Sequence, residues 1–241
     1  MKSISLAFTA FILLLATSCN NNKTTTDEVK AADTVATPEV PPPPPPAPPA
    51  PADVMLVWHK VGNFDKWLPS YEGHDSIRLA NGLHNYVIGR DLSDPNLVLV
   101  ALKMDDLDKA KSFSNSTTLQ EAMKKSGVVG KPSVNLVDIQ FLDTTTNNQT
   151  TRVMVTHKVK DYDAWKAAFD SHKQARMDAG LTDRAVGRGF DDKNTVTVVC
   201  AVSDVKKAKA FFSSKETKDK MASAGVEGAP TVHYYTVAKA W

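Results

Sequence analysis

The chain has 241 residues, 42% hydrophobic and 23% charged, enough for one large core or two small ones. Its formal charge of +2, from 29 basic and 27 acidic side chains, argues against a nucleic-acid binder, which normally carries a basic surplus. Beyond the N-terminus no apolar run approaches the ~20 residues that a membrane-spanning helix needs.

Met1-Lys2 makes a short basic start, Ile4 to Ala16 form an apolar stretch of signal-peptide length, and Ala16-Thr17-Ser18 lead into Cys19. This resembles a bacterial lipobox, in which signal peptidase II cleaves before the cysteine and the thiol carries diacylglycerol. The resemblance implies that residues 1–18 are a signal peptide and that Cys19 anchors the chain to the lipid bilayer. Ala16 stands where the lipobox usually has Leu, with Leu15 one step earlier, so an ordinary secretory signal with an incidental cysteine is the competing reading. Asn20 after the cysteine resembles lipoproteins sorted to the outer membrane, which places the expected location in the cell envelope. Residues 19–52 then read as a tether, polar at first and almost pure proline from Pro41 to Pro51. Such a stretch favours a polyproline II spacer of ~3.1 Å per residue; a ligand for proline-binding modules is the alternative.

Residues 53–143 and 152–241 are one sequence written twice, at an offset of about 98 residues, with roughly a third of aligned positions identical. His59-Lys60-Val61 matches His157-Lys158-Val159, and Trp67 matches Trp165. His74, Arg78 and Gly82-Leu83 match His172, Arg176 and Gly180-Leu181; Gly89-Arg90 matches Gly187-Arg188. Gly127, Gly130 and Pro132 match Gly225, Gly228 and Pro230. Residues 144–151, rich in Thr and Asn, form the linker.

Each copy parses alike. Met55 to Val61 alternates and is rich in β-formers, a first strand. Asn63 (Asp161 in the second copy) is a good N-cap for a helix running to about Asn81, stopped by Gly82 or Gly180. Two strands, about His84–Leu92 and Leu97–Met104, flank the turn signal Asp94-Pro95-Asn96, or Asp192-Lys193-Asn194. A second helix spans about Asp106 to Lys125, with Ser116 able to cap a new turn. Gly127 closes it, and Ser133 to Leu142 is the last strand.

The order β-α-β-β-α-β is the ferredoxin-like arrangement. With the His, Trp, His, Arg and Gly-Leu spacing it resembles the dimeric α+β barrel superfamily, which includes antibiotic-biosynthesis-monooxygenase-like and stress-responsive barrel domains. The resemblance implies an α+β fold in which two tandem ferredoxin-like domains pack their sheets face to face as a pseudo-dimer within one chain. The motive is physical, since a four-stranded sheet with helices on one face needs cover for the other.

Phe64, Trp67, Tyr71, His74 and Arg78 are spaced on one helical stripe, and Tyr162, Trp165, Phe169, His172 and Arg176 repeat it. The aromatics suit a core; His and Arg at the far end of the same stripe are less expected, because buried cations need partners. On the first strand His59 and His157 share a face with valines, and Arg90 and Arg188 add a cation on the second strand. One reading is a binding module for a small molecule or a protein partner, with a half-polar pocket between helix and sheet in which His and Arg orient an anionic or carbonyl-bearing ligand. If the pocket is enzymatic, the expected type is a cofactor-independent monooxygenase-like or isomerase-like enzyme, with His59, His74, His157 and His172 as candidate bases and Arg stabilising a developing enolate or oxyanion. The other reading is structural: the histidines hydrogen-bond within the core while the arginines reach carboxylates such as Asp65, Glu72 or Asp163. No zinc-ligand or Cys-x-x-Cys motif occurs, and no axial-ligand motif marks haem, so no metal is expected. Cys200, inside an apolar strand, reads as a small buried hydrophobe.

Overall fold

A near-continuous apolar run on the first strand buries both of its faces, and that fact organises the molecule. A computed structural model describes residues 52–241; the signal peptide, Cys19 and nearly all of the tether lie outside the described residues. β1 (Val54–Val61) sends Met55, Val57, His59 and Val61 to one side and Val54, Leu56 and Trp58 to the other. The first set packs under helices, the second faces a lumen.

The remaining elements of the first repeat are α1 (Phe64–Gly73), α2 (Asp75–Ala80), β2 (Leu83–Asp91), β3 (Leu97–Met104), α3 (Leu107–Ser114), α4 (Thr117–Lys125) and β4 (Val128–Leu142). The second repeat follows with β5 (Thr151–Val159), α5 (Tyr162–Ser171), α6 (Lys173–Asp178), β6 (Leu181–Gly189), β7 (Thr195–Val202), α7 (Val205–Ser213), α8 (Lys215–Ser223) and β8 (Val226–Ala240). The caps are those the side chains favour. Asn63 and Asp161 accept from the backbone N–H of Lys66 and Ala164, and Ser116 and Ser214 cap α4 and α8.

Eight antiparallel strands close into one barrel in the order β1-β3-β2-β8-β5-β7-β6-β4. The fold is the dimeric α+β barrel, made by a single chain. The two sheets do more than face each other, because hydrogen-bonded seams β2–β8 and β4–β6 join them edge to edge and leave no open edge. The matched pair Gly89 and Gly187 lies on those seams. A Cβ at Gly89 would sit 2.4 Å from the Tyr235 ring, and one at Gly187 2.3 Å from Val137 Cγ1, so only glycine admits the neighbouring side chain. Three cores result: one under the helices of each repeat and one inside the barrel.

Three sequence expectations need correction. The helix drawn to Asn81 is two helices meeting at His74, whose backbone leaves the helical region at φ −98°, ψ 18°; the second copy breaks identically at His172. No proline or glycine common to both copies marks that break. The last strand begins at Val128 rather than Ser133, because Gly130 takes a φ of 75° and forms a bulge that carries the strand through Pro132. The arginines, finally, do not reach Asp65, Glu72 or Asp163.

Candidate functional site

Each repeat has a cavity between its helices and the outer face of its sheet. In the first it is lined by His59, Trp67, Tyr71, His74 and Arg78, with Ile77, Leu102 and Leu119 among the apolar walls. In the second His157, Trp165, Phe169, His172 and Arg176 take the same places, with Ala175, Cys200 and Thr217 for walls. The helical stripe and the strand-1 histidine therefore meet in both copies. Arg90 and Arg188 do not join them. They lie over the rings of Phe64 and Tyr162, each 4.1 Å from the centroid, and donate to the carbonyls of Pro95 and Lys193. Phe64 and Tyr162 begin the helices, so these arginines sit beyond the opposite end of the stripe.

The two arginines on the stripe are fixed by internal partners. Arg176 makes a two-pronged pair with Asp183, Nε to Oδ1 at 2.8 Å and a terminal nitrogen to Oδ2 at 2.7 Å, and its other nitrogen donates to the Phe169 carbonyl. Both side chains of the pair are nearly out of water, 6% and 11% exposed. In the first repeat Asn85 stands at the position of Asp183. Arg78 Nε donates to Asn85 Oδ1 at 3.1 Å, and the carboxylate comes from Asp75, which also accepts from Asn85. The Tyr71 hydroxyl donates to the same Asn85 oxygen at 2.6 Å. The guanidinium groups also stack on Tyr71 and Phe169, 3.8 and 3.5 Å above the rings. The arginines hold the helix to the second strand, and their charge is spent there.

The histidines differ. His59 and His157 are 4% and 7% exposed, and among the described residues neither ring nitrogen of either side chain has a hydrogen-bond partner. Each ring leans on the tryptophan of its own stripe, with centroids 5.3 and 5.5 Å apart. Burial without an anion pulls both down to a pKa of about 4, so both are neutral near pH 7. A neutral imidazole presents one donor and one acceptor, and leaving such groups unmet costs about 1–3 kcal/mol each. His74 lies higher on the cavity wall and donates from Nδ1 to the Ser70 carbonyl at 2.6 Å. In the second repeat the matching carbonyl, that of Ala168, accepts from the Ser171 hydroxyl at 2.8 Å, and His172 sits near Glu216, which pairs with Lys220 at 2.7 Å on the cavity rim.

Size separates the two cavities: about 70 Å3 in the first repeat and about 310 Å3 in the second. Wall residues at matching positions account for it. Ile77, Leu102 and Leu119 of the first repeat become Ala175, Cys200 and Thr217 of the second, and Tyr71 becomes Phe169. Cys200 is buried as its strand context implies; its S–H donates to Asp183 Oδ1 at 3.5 Å, and burial raises its pKa and keeps it a thiol. Sequence reasoning did not find Asn85, Asp183, Thr217 or the Glu216–Lys220 pair. The readable signal for them was the set of positions where the copies differ, rather than those where they agree.

No protein-family model matches the sequence, and no curated protein does either. Solved structures share the fold. A protein assigned as a monooxygenase from Lactobacillus acidophilus NCFM superposes with a TM-score of 0.50 at 12% identity, over 78% of this chain and 95% of that one. An anthrone-oxidase-like protein does so with a TM-score of 0.55 at 11% identity, over 78% and 92%. A protein assigned as a chlorite dismutase gives 0.50 at 12% identity, over 78% and 95%. At these identities the likeness establishes the shared fold. Among the described residues no helix is long and apolar enough to cross a membrane.

Proposed function

We propose that this chain is a lipid-anchored protein of the bacterial cell envelope whose second repeat binds a small, largely apolar, uncharged molecule between helices and sheet. The observation that carries the binding reading is His157, buried with two unmet ring nitrogens in the wall of a cavity of about 310 Å3. That volume lies at the lower end of small-molecule pockets, about 300–1,000 Å3. Trp165 and Phe169 supply apolar wall, and His157 offers a hydrogen bond to a hydroxyl or carbonyl. Arg176 is already neutralised by Asp183, so the pocket favours a neutral ligand over an anion. The anchor rests on the Cys19 lipobox resemblance and the proline tether that follows it.

Native mass spectrometry of the full chain, extracted from membranes in mild detergent, tests both parts. The expected spectrum shows a diacylglyceryl increment on Cys19 and a retained small molecule, and the small molecule is absent from His157→Phe. An unlipidated Cys19 removes the anchor; retention unchanged in His157→Phe removes the site.

A second reading is a cofactor-independent, monooxygenase-like enzyme, and the barrel shared with a protein assigned as a monooxygenase and with an anthrone-oxidase-like protein supports it. His157, with a pKa of about 4, is too weak a base to work efficiently near neutrality. His172 at the rim is the better-placed candidate in that case, and His172→Ala would abolish turnover while leaving ligand retention intact.

A further inference from the structure

The barrel has an interior as well as an exterior, and nothing in the helix–sheet cavities uses it. Because each strand is antiparallel to its neighbours, β1 and β5 run in the same direction, so their N-terminal ends lie at the same end of the barrel. Behind that end lies a third cavity of about 300 Å3, with walls from both sheets. Leu56, Leu99, Val137, Met154 and Val199 make an apolar interior. Deeper in, Trp58 stacks on His233 at 4.3 Å and meets Tyr235 edge-on at 5.9 Å, which fills the next layer.

Charge is concentrated toward the open end. Lys103, Arg152 and Arg184 line the cavity there with a single carboxylate, Asp143, and Asp143 is taken by Arg184 at 2.7 Å. By strand alternation Asp53 and Asp138 point to the outer face, since their neighbours Val54, Val137 and Ile139 point inward. Among the described residues Arg152 is held by neutral oxygens alone, the carbonyls of Gln149 and Thr151 and Asn147 Oδ1. Burial and the nearby Arg184 both disfavour its charge. An apolar cup with two uncompensated cations at its mouth is complementary to an anion that carries a hydrocarbon tail.

We propose that the barrel lumen is a second ligand site, taking a single-chain carboxylate of medium length with its head on Arg152 and its tail against Leu56, Val137 and Met154. The volume suits one short chain and excludes a diacyl lipid. This site shares no lining residue with the cavity around His157, so each stands or falls alone.

The test is photolabelling of the full chain in membrane vesicles with a decanoate analogue that bears a diazirine at its tail end, followed by peptide mapping. The label is expected on peptides of β1, β4 and β5, competed by decanoate and not by decanol. Arg152→Gln should lower it at least tenfold, Arg152→Lys should largely retain it, and filling the other cavity with Ala175→Ile and Thr217→Leu should leave it unchanged. Label on α5–α8, equal competition by decanol, or equal competition by inorganic phosphate would each overturn the assignment. Should Arg152→Gln fail to fold, the mapped peptides and the decanol control still decide.

Discussion

The two repeats are built on the same turns, caps and seams, yet one has a nearly filled helix–sheet cavity and the other an open one. In the first, Ile77, Leu102 and Leu119 occupy the space over His59, leaving about 70 Å3. In the second, Ala175, Cys200 and Thr217 withdraw, leaving about 310 Å3 over His157. The buried arginine is also neutralised differently, by Asp75 on its own helix in the first copy and by Asp183 across on the second strand in the other. Duplication preserved what closes the barrel and relaxed what fills the space beneath the helices. Function is therefore to be sought where the copies diverge.

The largest expected effect concerns the arginine partners. Asp183→Leu leaves Arg176 buried without a carboxylate, since Lys173 stands where the first repeat has Asp75, and should cost about 3–5 kcal/mol in urea unfolding. Asn85→Leu removes hydrogen bonds and leaves Asp75 in place, so about 1–3 kcal/mol is expected. Equal costs would mean that Asp75 and Asp183 are not alternative solutions to one problem.

The next concerns pH. Folding lowers the pKa of His59 and His157 from 6.5 to about 4, so below 6.5 the unfolded chain takes up protons that the folded chain refuses. Stability is therefore full above about pH 6.5 and falls as the pH drops toward 4, by about 3 kcal/mol for each histidine. In ligand-free protein, His59→Phe with His157→Phe should flatten that part of the stability profile without lowering stability at pH 7, because each exchange removes unmet polar atoms. A profile that stays equally steep in the double variant would show that other groups carry it.

A smaller change makes the second repeat resemble the first. Ala175→Ile with Thr217→Leu should raise unfolding stability by about 1 kcal/mol, as cavity filling commonly does, while removing the retained molecule. The smallest effect is expected from Arg90→Ala and Arg188→Ala, about 0.5–1 kcal/mol each from the lost cation–π contact, with ligand retention untouched. Loss of retention in either would return these arginines to the site.

Element order, caps and the duplicated stripe were legible because they depend on local chemistry. Asn63 and Ser116 cap, Gly82 and Gly127 stop helices, and alternation fixes which face of β1 goes down. Convergence of His59 with Trp67 and His74 followed from the same periodicities. What did not follow depends on distant partners. Asn85 and Asp183 become visible only once β2 and β6 lie beside α2 and α6, and the seam glycines gain their meaning only when Tyr235 and Val137 press against them. The break at His74 has no local signature, and the cavity volumes arise from side chains far apart in sequence.

Under the proposed binding role, occupancy of the second repeat and not of the first is what separates the two copies. Counting retained molecules per chain by native mass spectrometry tests it most directly, across the wild type, the Ala175→Ile/Thr217→Leu variant and the reverse variant Ile77→Ala/Leu119→Thr. One molecule is expected in the helix–sheet site of the wild type, none after filling, and a new vacancy able to take the same molecule after opening. Unchanged retention after filling, or no such molecule on the natively purified wild type, would contradict it.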